Sequence, residues 1–357
     1  RAASDCCIRM EDLQGAAGRI IAEVTGAESG IVTSGASAAL TLAAAACLAG
    51  MDVNRMNRLP DTSGMPNEFV VQRTHRNDYD HALRAAGAHF VEAGYYYHTF
   101  AYEVEAAITE RTCAFFYQAG VAEGALRLDE FAEIAHRHGL PVIVDAAAEL
   151  PPTENLNLFL SQGADLVAFS GGKHIRGPQA SGILCGRRNL ILSAALQHQD
   201  MDVFPETWPY RRLIREGVLA GPPHHGIGRG FKVGKEEVVG LLTALQLYAR
   251  RDFDAERRAW RADVERIVAG VRGIPGVDAQ VRDSQPRGKA PQAVVTIDAA
   301  VTGKNARDLM NALQEGDPPI CVFEKLAAAG TIVFLPEALR PGDADRIARR
   351  LAALLVA

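Results

Sequence analysis

The chain predicts an α/β fold: a mostly parallel sheet covered on both faces, followed by a smaller C-terminal α+β domain. Three observations carry this. Short apolar runs alternate with helical segments from residue 29 to residue 185. Several of those runs close on a polar residue and a Gly- or Ser-containing turn, as in Val32-Thr33-Ser34-Gly35 and Phe169-Ser170-Gly171-Gly172. The alternation then stops near residue 235, where one long helical stretch takes over.

A first helix is expected over residues 11–25, leading into a strand at 29–33 and a long Ala-rich helix at 38–49. Strands are expected at 68–73, 89–92, 113–117, 142–145, 166–170 and 182–185, separated by helices at 79–86, 128–138 and 156–162. Repeated βα units of this kind require a buried parallel sheet. The helical stretch at 236–271 is interrupted near Asp252, and strands at 294–297 and 331–334 precede a last helix at 341–355. The domains are therefore expected at 1–235 and 236–357, with the long helix bridging them.

Composition narrows the functional class. With 48% hydrophobic residues, 357 residues can bury one large core and a second, smaller one. A net charge of −5 gives no excess of cations for a phosphate backbone, so no nucleic-acid partner is expected. The six cysteines, at 6, 7, 47, 113, 185 and 321, show no C-x-x-C or Cys/His spacing, which predicts buried free thiols, no metal and a reducing cytoplasm. No signal peptide is visible, and the stretch at 36–50 is too short and small-residued for a membrane span. The chain begins without Met, and a preceding segment is expected to have been lost.

Two residues point to specific chemistry. Lys173 sits on a glycine-loosened turn after the run at 164–168, and Asp145 closes the run at 140–144, 28 residues earlier. Both fall at predicted carboxyl ends of strands, where open α/β sheets place their ligands. A lysine that can form a Schiff base, and a carboxylate that keeps a pyridine nitrogen protonated, are the pair that pyridoxal phosphate requires. Neither G-x-G-x-x-G nor G-x-x-x-x-G-K-[ST] occurs at a strand-to-helix turn, which sets a nucleotide-binding protein behind this reading.

With that pair placed, the chain resembles the fold type I pyridoxal phosphate enzymes (aminotransferase class V-like), in particular the group around selenocysteine synthase and D-glucosaminate-6-phosphate ammonia-lyase. The resemblance runs through residues 32–40, 58–62, Gln72-Arg73-Thr74-His75-Arg76-Asn77, Ser170-Gly171-Gly172-Lys173, 177–180 and 228–237. It implies a seven-stranded type of sheet, a homodimer or higher homo-oligomer with shared sites, and a small-molecule amino acid substrate. Position by position, Lys173 is similar to the Schiff-base lysine and Asp145 to the partner of the pyridine nitrogen. Ser34, Gly35, Ala36 and Ser37 occupy the phosphate-binding turn that opens a helix, and Ser170 adds a hydroxyl to the same phosphate. His75 is expected against the cofactor face, with a role in moving protons, and Gln118 at the cofactor's phenolic oxygen or the substrate. The loop at 222–230 is glycine-rich, basic and not expected to enter a core. It is the candidate segment crossing to a neighbouring subunit, with Gly228 near the cofactor and Arg229 meeting a substrate carboxylate. Arg76, with Arg55, Arg58 and Arg73, is a candidate for an anionic substrate tail.

The resemblance implies a lyase of the ammonia-lyase type: Lys173 removes a Cα proton, and β-elimination gives a 2-keto acid and ammonia. An epimerase or racemase, an aldolase or an aminotransferase would use the same lysine. A non-catalytic binding protein of this fold is a further alternative.

Overall fold

The computed structural model describes residues 5–120, 123–199, 202, 204–283 and 290–356. They divide into two compact units, Arg1–Arg250 and Arg251–Ala357. The division falls at 250/251 and not at 235–240. Helix Lys235–Ala249 stays with the first unit because it packs along helix α1 (Met10–Thr25). The interruption expected near Asp252 is a helix start, where its carboxylate caps helix Phe253–Val271 by accepting from the Ala255 N–H at 2.9 Å.

The first unit is built on strands β1 (Ser29–Thr33), β2 (Glu68–Gln72), β3 (His89–Ala93), β4 (Thr112–Gln118), β5 (Val142–Asp145), β6 (Leu166–Ser170) and β7 (Gly182–Gly186). They form one seven-stranded sheet in the order β1-β7-β6-β5-β4-β2-β3. From β3 to β6 every pairing is parallel, whereas β7 runs antiparallel to both neighbours, β6 and β1. The central strands read as unbroken apolar runs because both faces are covered.

Helix α2 (Ala36–Ala49) shows how composition fixes position. It is Ala-rich and apolar all round, and 11 of its 14 residues are buried. Its small side chains let it lie close to β5, β6 and β7 while helices His81–Arg84 and Arg188–Leu196 close over it. It starts at Ala36, two residues before the expected position. The expected helix at 79–86 is a 3-10 turn, Asp78–Asp80, followed by His81–Arg84.

In the second unit, β8 (Val277–Arg282), β9 (Gln292–Ile297) and β10 (Thr331–Phe334) make an antiparallel sheet in the order β10-β9-β8. Helices Phe253–Val271, Ala306–Gln314 and Asp343–Val356 share its core. Strand β8 was not expected, although Val277, Ala279 and Val281 alternate with Asp278, Gln280 and Arg282 in the period-two pattern of a half-exposed strand. No helix of the described residues is long and apolar enough to cross a membrane. The thiols depart from the expected burial: Cys185 is buried and Cys47 and Cys113 are partly so, but Cys6, Cys7 and Cys321 are exposed.

Candidate active site

Register places the candidate residues along one edge of the sheet. Gln118 at the end of β4 stands opposite Asp145 at the end of β5. Asp145 stands opposite Ala168, two residues short of Ser170. Ser170 pairs with Gly182 on β7, and Gly182 pairs with Thr33 at the end of β1. Gln118, Asp145, Ser170 and the turn after Thr33 therefore follow one another along the carboxyl edge, although residues 33 and 170 are far apart in sequence.

The turn is shaped for an anion. Gly35 caps α2 at φ 149°, and the first helical N–H bond is Ala39 N–H to Gly35 O at 3.0 Å. The N–H groups of Ala36, Ser37 and Ala38 thus have no acceptor one turn earlier in the helix, and the helix dipole adds positive potential at this end. The turn lies directly on β7: a Cβ at Gly182 would sit 2.4 Å from Gly35 C and 2.7 Å from Ala36 N. Ser34 is half-buried and Ser37 exposed, so both hydroxyls sit at the rim of the turn. Gly182→Ala is expected to displace the turn, lowering pyridoxal phosphate affinity at least about tenfold and costing about 1–3 kcal/mol of stability by overpacking. Cofactor titration alongside thermal melts checks both; unchanged affinity would separate the turn from phosphate binding.

Lys173 lies on the loop that joins β6 to β7. Backbone bonds from Gly171 N–H to Ser181 O (2.9 Å) and from Gly177 N–H to Gly171 O (2.8 Å) cinch this loop. Arg176 N–H donates to Lys173 O at 2.9 Å, and Arg176 holds φ 61°, the one positive φ at a non-glycine among the described residues. Such a backbone is retained only where its surroundings enforce it. The Lys173 side chain is exposed, whereas Asp145 is 4% exposed.

Burial pushes the Asp145 carboxyl above its ordinary range. The Ala147 N–H, donating to Asp145 Oδ1 at 2.9 Å, and the Lys173 ammonium both pull it back, while buried Glu149 pushes it further up.

His75 is fully buried on the 3-10 turn Arg73–His75 after β2. Its Nδ1 accepts the Gln118 backbone N–H at 3.3 Å, and Tyr117 packs edge-on at 4.4 Å between ring centroids. An accepting Nδ1 leaves the proton of the neutral ring on Nε2. The Gln118 side chain is oriented by Asn77, whose Nδ2 donates to Gln118 Oε1 at 2.8 Å. Its own Nε2 is turned toward the carbonyls of Ala119 (3.2 Å) and Asp145 (3.4 Å).

Other expected residues lie in different settings. Arg76 is engaged by Asp80 at 2.5 Å and by Glu92, and its guanidinium stands over the Phe90 ring at 4.8 Å. Arg55, Arg58 and Arg73 likewise face Asp52, Asp61 and Glu92. An anionic tail would have to displace these carboxylates. The loop at 222–230 does enter packing, contrary to expectation: Pro223, Gly226 and Gly228 are buried. Gly228 N–H donates to Gln197 O at 2.9 Å, and the 3-10 turn Ile227–Phe231 rests on α2, carrying a half-buried Arg229. Sequence reasoning overlooked Asn77, Glu149 and Gly182. Gly182 had a readable signal, since a glycine opening a buried strand marks a close backbone approach.

The family model described as "SelA: L-seryl-tRNA selenium transferase" matches residues 79–202. A 5'-C-glycyluridine monooxygenase-decarboxylase of Streptomyces sp. is 32% identical, covering 98% of this chain and 82% of that protein. A D-glucosaminate-6-phosphate ammonia lyase of Salmonella typhimurium is 31% identical, covering 98% of this chain and 87% of that protein. The solved structure of a D-glucosaminate-6-phosphate ammonia-lyase superposes with a TM-score of 0.83 at 30% identity, over 99% of this chain and 88% of that one. The apo cysteine desulfurase of Thermococcus onnurineus NA1 shares the fold, with a TM-score of 0.55 at 17% identity. Relatives of this kind, matched along nearly the whole length of the chain, make it a member of the selenium transferase and D-glucosaminate-6-phosphate ammonia-lyase family of fold type I pyridoxal phosphate-dependent enzymes.

Proposed function

We propose that this chain binds pyridoxal phosphate at the carboxyl edge and acts as a lyase on a hydroxylated amino acid or sugar amino acid. The observation that carries the reading is the strand register, which sets buried Asp145 at the end of β5 beside β6, whose following loop carries exposed Lys173, on the same edge as the first N–H groups of α2. When bound, the cofactor supplies an electron sink for negative charge developing at the substrate Cα.

The remaining work falls to the chain. The N–H groups of Ala36, Ser37 and Ala38, with the hydroxyls of Ser34, Ser37 and Ser170, hold a phosphate. Asp145, kept from solvent, stabilises a protonated ring nitrogen. Lys173 Nζ would hold the cofactor through its aldehyde and, once free, would accept the Cα proton of the substrate. The Cβ–O bond breaks, the hydroxyl leaves as water, and hydrolysis of the freed enamine consumes one water to give ammonia and a 2-keto acid. His75, whose Nδ1 accepts the Gln118 backbone N–H, positions that residue at the edge. The assembly is a homo-oligomer with shared sites, which accounts for a lysine left exposed in the single chain.

The 31% identical ammonia lyase favours elimination over other outcomes at the same lysine. The similar identity of the Streptomyces monooxygenase-decarboxylase makes loss of the carboxylate the reading to test against it. The decisive experiment begins with an absorbance spectrum of the protein loaded with pyridoxal phosphate, then borohydride reduction and peptide mapping. A visible band trapped on Lys173 is expected. Hydroxylated amino acids, D-glucosaminate 6-phosphate among them, are then assayed for keto acid, ammonia and carbon dioxide. Keto acid and ammonia in equal amounts support the lyase, whereas carbon dioxide release or oxygen uptake replaces it with decarboxylation.

A further inference from the structure

One surface lies outside the site just described. Between Glu92 and Glu103 the chain carries no charged residue, and Tyr95, Tyr96, Tyr97, Phe100 and Tyr102 follow one another after β3. They are exposed by 62%, 71%, 71%, 49% and 69%. The rings touch in two groups: Tyr96 against Tyr97 at 4.7 Å, and His98 against Phe100 at 4.5 Å with Phe100 stacked on Tyr102 at 5.8 Å.

The loop beneath them is built. Tyr95 N–H donates to His98 O at 2.8 Å, and Thr99 N–H donates to Gly124 O at 2.7 Å. Gly124, at φ 73°, admits no side chain, since a Cβ there would fall 1.7 Å from Tyr97 O. The segment after Gly124 is tied to the carboxyl end of β2, with Leu126 N–H donating to Gln72 Oε1 at 2.6 Å. The aromatic face therefore belongs to the same edge of the sheet as Gln118 and Asp145.

Its size argues for a protein partner. Five such rings at these exposures present roughly 600 Å². That is at the upper limit of what single chains leave bare, and most of the ~800 Å² that each partner gives to a standard interface. Aromatic enrichment with charge depletion is the composition of an interface centre. A strongly charged partner would find no countercharge here, whereas a second copy brings the same uncharged aromatic face.

We infer that the loop from Tyr95 to Tyr102 is the centre of an isologous interface with a second copy of this chain, seated beside the carboxyl edge. The inference rests on the homo-oligomer proposed above, and its test separates the two. Sedimentation equilibrium is run on the full chain loaded with pyridoxal phosphate, and on Tyr96→Ser/Tyr97→Ser/Tyr102→Ser with its fold checked by circular dichroism. The 38.3 kDa chain is expected to sediment at a multiple of that mass, and the variant to dissociate with a constant raised at least about a hundredfold. A photoreactive benzoylphenylalanine at Tyr96, in an otherwise unaltered chain, is expected to give cross-linked dimers; the same residue at exposed Val301 is not. An oligomer that persists in the triple variant, or no cross-link from position 96, overturns the interface and leaves the oligomer standing. A monomeric wild type overturns both. A monomer whose tyrosine emission is quenched by uridine makes the loop a small-molecule platform instead.

Discussion

Lys173→Ala is expected to lower turnover by at least about a thousandfold, because in the proposed reaction one amine holds the cofactor and moves the Cα proton. The fold should survive. The lysine side chain is exposed, and the loop around it is held by the backbone bonds of Gly171 and Gly177. The variant should keep its melting temperature without cofactor while losing the borohydride-trappable band. A variant with more than a tenth of wild-type turnover would move the chemistry to another residue. Added small amines offer a complementary check, since partial rescue would identify the missing function as a base and not a structural prop.

Asp145→Asn is the second large effect, with opposite signs in two measurements. Burial holds the native carboxyl above its unfolded value, so the ionised form costs stability in the cofactor-free protein. That cost is absent below the unfolded pKa of about 3.9, grows as pH rises through it, and is complete above the native value. The cofactor-free variant is therefore expected to melt higher than wild type at pH 7, with the advantage shrinking as pH falls toward about 4. Activity should fall about a hundredfold or more, because the amide leaves a protonated ring nitrogen without an anionic partner. Melts from pH 4 to pH 8, paired with activity at pH 7, decide it. A variant less stable at neutral pH would make Asp145 a structural cap through its bond to Ala147.

Much of this was legible in the chain because buried parallel strands are written as continuous apolar runs, and those at 142–145 and 166–170 match β5 and β6 residue for residue. Asp145 stood out because it closes one such run, and Lys173 because it follows another on a glycine-loosened turn. Less legible were elements held by tertiary contact. Helix Arg188–Leu196 became fixed only by packing on α2, and β8 only by pairing with β9. Side-chain engagement was equally hidden. Arg76 reads as an available cation until Asp80 and Glu92 are placed beside it. The loop at 222–230 reads as solvated until α2 is found beneath it. The lateral tie from Asn77 to Gln118 spans 41 positions and left no local pattern to detect.

Strand β7 runs against both its neighbours, and β1, which pairs with it, is the last strand on that side of the sheet. The turn proposed to hold the phosphate therefore hangs from the margin of the sheet and not its middle. Fraying of β1 would carry the α2 turn away from Gly182 and disperse the N–H groups before the central strands loosened. Conversely, an anion seated there would pin the margin, since a ligand that binds only the ordered state stabilises it in proportion to its occupancy. Cofactor retention and integrity of the sheet's border would then be one equilibrium observed from two sides, and amide exchange at residues 29–33 should slow when the phosphate site is filled.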